Sequence, residues 1–124
     1  MQKSYLITFS CLILHQIDAA FWHEWDLFLL PGGIQGFLIF NLLLIPILLI
    51  GYKDVVLESP HSIKYSTLCA SLGGLTFLIH STFLLMGNEQ FQLPLSLIII
   101  ACCALSSVWQ VRQIMLYEKA NYKA

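Results

Sequence analysis

Within the twelve residues from His15 to Asp26 the chain carries two histidines, three carboxylates and two tryptophans: His15, Asp18, Trp22, His23, Glu24, Trp25 and Asp26. The whole chain is only 10% charged. The cluster begins inside an apolar run, where an ionisable group is costly and marks a functional site by default. Imidazole and carboxylate side chains can hold a divalent transition metal such as Zn, Fe or Mn, or pass protons to a substrate. No motif of the H-E-x-x-H kind is present. His15, Asp18, Glu24 and His80 are the residues expected to act as metal ligands or as catalytic proton-transfer groups.

The elements that must position these groups follow from composition. The chain has 124 residues, of which 58% are hydrophobic, and its mean hydropathy is +0.78. A soluble domain is nearer 45–50% apolar and about 25% charged, so an integral membrane protein is expected, as one domain over residues 1–124. Four apolar segments, at about 4–22, 34–52, 64–86 and 94–113, are each near the ~20 residues needed to cross a ~30 Å hydrocarbon core. The expected fold is all-α: a transmembrane four-helix bundle with short loops and antiparallel neighbours. Lys3 ahead of the first apolar run suggests a secretory signal. With Asp18 before the only small pair, Ala19-Ala20, an uncleaved first span is expected instead.

Pro31-Gly32-Gly33 marks a turn, Pro46 should bend the second span, and Ser59-Pro60 reads as an N-cap followed by a first-turn proline. Gly87-Asn88-Glu89-Gln90 reads as a further turn. Ser66, Ala70, Gly73 and Gly74 in the third span, and Ala101, Ala104 and Ser107 in the fourth, are small enough to let helices approach closely. All six basic residues (Lys3, Lys53, Lys64, Arg112, Lys119 and Lys123) fall on one side of a four-span arrangement. The positive-inside rule then puts both termini in the cytoplasm.

Depth brings the chemistry-bearing residues together. At 1.5 Å per residue, His15 stands roughly 18 Å beyond Lys3, Asp18 roughly 22 Å, and His80 roughly 24 Å beyond Lys64. All three are therefore expected in the outer half of the bundle. His15, Asp18 and Trp22 share a helical face. Glu24 and His23 can join them only if the first helix ends or bends near Trp22. The same cluster could also serve structure alone, as a His–Asp pair that fixes helix register. His61 is expected to be exposed, and Trp22, Trp25 and Trp109 to be interface anchors. Cys11, Cys69, Cys102 and Cys103 all lie in apolar runs without C-x-x-C spacing, so buried, unpaired thiols are expected.

The order H-x-x-D-A-x-x-x-x-E-W, carried here by His15, Asp18, Ala19, Glu24 and Trp25, resembles a bacterial family of small four-span membrane proteins of unknown function. It is more distantly similar to a family named for an H-x-x-E-E motif, where this chain has Asp18-Ala19 in place of the two glutamates. The resemblance implies that His15, Asp18 and Glu24 work as a unit in the bacterial inner membrane. It brings no activity with it. Three functions stay open: a metal-binding or acid/base intramembrane site acting on a lipid-like substrate, a non-enzymatic accessory subunit or small transporter component, and a haem-binding module ligated by two histidines. The expected partners are the lipid bilayer and a lipophilic small molecule. Net charge −1 argues against nucleic acid. Nothing in the pattern sets an oligomeric state.

Overall fold

The computed structural model of the chain describes residues 1–87 and 92–122. It is all-helical, with α1 at Gln2–Phe21, α2 at Glu24–Leu27, α3 at Ile34–Val56, α4 at Ser62–Leu85 and α5 at Pro94–Tyr122. Four of these, all but α2, are long and apolar enough to cross a membrane. Three residues of the turn expected at Gly87-Asn88-Glu89-Gln90 lie outside the described residues, as does Lys123.

α4 and α5 share the most extensive interface, followed by α1 with α5, and α3 is the most peripheral span. The close approach turns on Gly73. A Cβ there would collide with Ser107 Oγ of α5 and press on Thr8 of α1, so only glycine lets the three helices meet. Gly74 has open space around it and plays no such part. The packed face of α5 is Ile100, Cys103, Ser107 and Gln110, all buried, at three- and four-residue spacing. Ala101 is exposed instead, because it lies a quarter-turn off that line. Across the same interface Gln110 Nε2 donates to the Ser66 carbonyl at 2.9 Å.

Two apolar clusters stack along the bundle. One gathers Tyr5, Phe9, Leu12, Leu48, Val55 and Cys69, and the other Ala19, Phe37 and Ile100 beneath Trp22, Trp25 and Leu27. The Tyr5 hydroxyl donates to the Leu48 carbonyl at 2.8 Å, tying α1 to α3 just beyond Pro46. The four cysteines are free, as expected, but they are not uniformly buried. Cys69 and Cys103 are enclosed, Cys11 is half-buried and Cys102 points outward. An apolar run says that a thiol is among hydrophobes, not which side of its helix faces the core.

Two connections differ from expectation in useful ways. α4 begins at Ser62 with His61 as its cap residue, two residues after the expected start at Pro60. Ser59 still contributes, since its Oγ accepts the His61 N–H at 3.2 Å. α1 ends at Phe21, where the Trp22 N–H still bonds to the Asp18 carbonyl. His23 then takes a left-handed backbone, φ 53°, and the chain reverses into the single turn of α2. Leu29, φ 52°, and the Gly32-Gly33 pair, φ 88° and 54°, carry it back to α3.

Candidate metal centre

That reversal decides where Glu24 goes. In an uninterrupted helix Glu24, nine residues after His15, would point away from it, half a revolution round. The left-handed His23 folds α2 back, and Glu24 becomes buried against α1 and α4. His15 of α1 and His80 of α4 meet edge to face, with ring centroids 4.7 Å apart. Their Nε2 atoms are 3.3 Å apart. Glu24 Oε1 lies 3.2 Å from His80 Nε2, and Oε2 lies 3.8 Å from His15 Nε2.

Two imidazole nitrogens and a carboxylate oxygen thus converge with all three side chains buried and one ligand atom of each within 4.8 Å of the others. Around a tetrahedral ion with bonds of ~2.0–2.1 Å, ligand atoms stand about 3.3 Å apart. The His15–His80 and Glu24–His80 separations fit that spacing, and the 3.8 Å from Glu24 to His15 is longer. Charge points the same way. A buried carboxylate needs a compensating cation, and no Lys or Arg lines this region. Two protonated imidazoles in contact would repel, whereas a divalent ion balances the carboxylate and satisfies both rings. A single proton shared by the three groups would also balance the charge.

Of the four residues expected at the site, His15, Glu24 and His80 come together and Asp18 does not join their ligand group. Its Oδ1 accepts a hydrogen bond from Ser96 Oγ of α5 at 2.9 Å. The shared face of His15 and Asp18 is real, but α1 is wedged between α4 and α5. A three-residue step, 300° round the helix, is enough to send one side chain to each neighbour. His23 and Asp26 are exposed, and His23 stacks on Trp25 with centroids 4.9 Å apart. The two histidine rings are in direct contact, an arrangement that favours a small ion over a haem between them.

A cavity of about 320 Å³ adjoins the trio. Its walls are mostly leucine and phenylalanine, from Leu12 and Leu72 at one end to Phe28 and Leu30 at the other, with His15, Gln16, Glu24, Thr76 and His80 as its polar members. Phe40 of α3 and Leu75 of α4 line it and are also about half exposed, so it reaches the outer surface of the bundle between those helices. Trp22, expected as an interface anchor, packs edge-on against Phe21. Sequence reasoning missed Gln16, Thr76 and the α3 wall. Only the polarity of Gln16 and Thr76 inside apolar spans could have flagged them.

The profile of one family matches residues 1–117. The chain belongs to DUF6713, a family of unknown function. Comparison with curated proteins and with solved structures gives no match. The family assignment agrees with the expectation of a family without a known activity and adds no chemistry to the site.

Proposed function

We propose that this protein is an integral membrane protein with an intramembrane metal centre formed by His15, Glu24 and His80, acting on a lipid-like substrate held in the adjoining cavity. The observation that carries the reading is the convergence of two Nε2 atoms and one carboxylate within 4.8 Å. Two histidines and a carboxylate form the donor set of hydrolytic zinc sites and of non-haem iron sites alike, and both keep positions open for substrate. A mostly apolar cavity reaching the bundle surface supports a substrate arriving from the bilayer.

In this reading residues 1–124 form one domain of four antiparallel spans in a bacterial inner membrane. Both termini are cytoplasmic because the basic residues gather there. The metal-free version of the same site, in which Glu24 and His80 exchange a proton with the substrate, rests on their 3.2 Å contact.

Metal analysis of detergent-purified protein decides between the two. About one equivalent of transition metal is expected per chain, falling at least tenfold in Glu24→Gln and in His80→Ala, while both variants still insert. Wild-type protein without metal after reconstitution with Zn, Fe or Mn would remove the metal reading and leave acid/base chemistry. Because neutral imidazoles and an ionised carboxylate are the binding forms, bound metal should be released steeply as pH falls.

A further inference from the structure

Among the described residues, two polar members of the cavity stand outside the trio, Gln16 and Thr76, and Gln16 is the one with a buried oxygen left without a partner. It follows His15 directly, lines the cavity, and has a buried Oε1 that accepts no hydrogen bond among the described residues. A carboxamide oxygen buried in apolar surroundings without a partner loses the interactions it had with water. A ligand that hydrogen-bonds to it would recover them.

The ligand's chemistry is bounded on three sides. Among the described residues no Lys or Arg lines the cavity, so apart from an ion held by the trio a phosphate head group finds no counter-charge there. At about 320 Å³ the cavity is near the lower end of ligand pockets, roughly 300–1,000 Å³, which suits one chain rather than two. From His80 down to Leu72 it follows α4 for about 12 Å, along Leu75, Thr76 and Ile79. Gln16, Glu24 and the two histidines gather at one end, with Thr76 about 6 Å further along α4. A single apolar chain would therefore lie between α3 and α4 with a small neutral head beside the trio. A hydroxyl both donates and accepts, so it can satisfy either end of the carboxamide while its oxygen faces the reactive centre.

We propose that the cavity binds a single-chain lipid alcohol and that Gln16 is the residue that recognises its hydroxyl. This rests on the reading of the trio as the reactive centre, and its test is built to fail separately. Trp25 packs on Phe37, a cavity residue, with centroids 5.4 Å apart, so a brominated chain in the cavity should quench it. The full-length chain, with Trp22 and Trp109 changed to Phe, is reconstituted in phosphatidylcholine nanodiscs. It is then titrated with undecanol, undecane, undecanal and undecyl phosphate, each brominated at the fourth carbon so that the bromine lies at the Trp25 end of the cavity.

The alcohol should quench at about five- to tenfold lower membrane concentration than the alkane, the size expected of one hydrogen bond. Gln16→Leu should remove that preference, and Gln16→Glu, which keeps an acceptor, should restore most of it. Circular dichroism and size-exclusion elution measured in parallel check that each variant is folded. Equal quenching by alcohol and alkane, a preference for the phosphate or the aldehyde, or a preference that survives Gln16→Leu would overturn the proposal. If the protein holds no metal yet the Gln16-dependent alcohol preference persists, the metal reading fails and this one stands.

Discussion

Asp18 shows how far residue type and spacing can be trusted. Its position three residues after His15 predicts a common site, and the structure sends its carboxylate to Ser96 instead. Its role then becomes that of a tie between α1 and α5, near the first turn of α5. Asp18→Asn should leave metal content unchanged, because Asn keeps an acceptor for Ser96 and the metal ligands are untouched. Asp18→Ala should also keep the metal but lower stability by about 1–2 kcal/mol, since a buried hydroxyl loses its partner. Thermal unfolding in detergent beside metal analysis checks both. Loss of metal in Asp18→Asn would return Asp18 to the site. Glu24 is the opposite case. Its type made it a candidate, yet nothing in its spacing from His15 placed it there.

At the scale of elements, the missing information is the backbone of His23. Neither glycine nor proline marks the end of α1, so an uninterrupted helix through Trp25 fits the same letters. The four long helices were legible because twenty-residue apolar runs leave few alternatives. The one-turn α2 was not, because its formation depends on tertiary contacts: Trp25 packs on Phe37 and Phe28 on Phe83. The left-handed conformation of His23 makes it testable. Glycine adopts φ near 53° without strain, whereas a β-branched residue does so only at a cost of about 1–3 kcal/mol. His23→Gly should retain metal at wild-type affinity. His23→Ile should weaken it about tenfold or more, because relief of strain moves Glu24 away from His15 and His80. Chelator competition measures the affinity, and equal values for the two variants would mean that α2 does not hold Glu24 in place.

At the scale of the molecule, all four long helices turn fewer than two-fifths of their membrane-length windows inward, and the outward faces of all four carry exposed large apolar side chains. Such a surface suits a lipid environment, and the proposed function depends on that setting. The trio sits at one end of the bundle, beside the connection from α1 to α3, and the cavity opens sideways from it. The proposed topology puts that end on the outer side, because the connection from α3 to α4 is flanked by Lys53 and Lys64 while the α1–α3 connection has no basic residue. In a background with the four native cysteines replaced, Asp26→Cys and His61→Cys place single thiols at exposed positions in these two connections. A membrane-impermeant maleimide added to intact cells should label Asp26→Cys and spare His61→Cys until the membrane is opened. The reverse pattern would invert the bundle, placing the trio in the cytoplasmic leaflet and requiring the lipid alcohol to reach it from that side. Labelling of both positions in intact cells would break the four-span arrangement itself, because the single crossing of α3 must put these two connections on opposite sides.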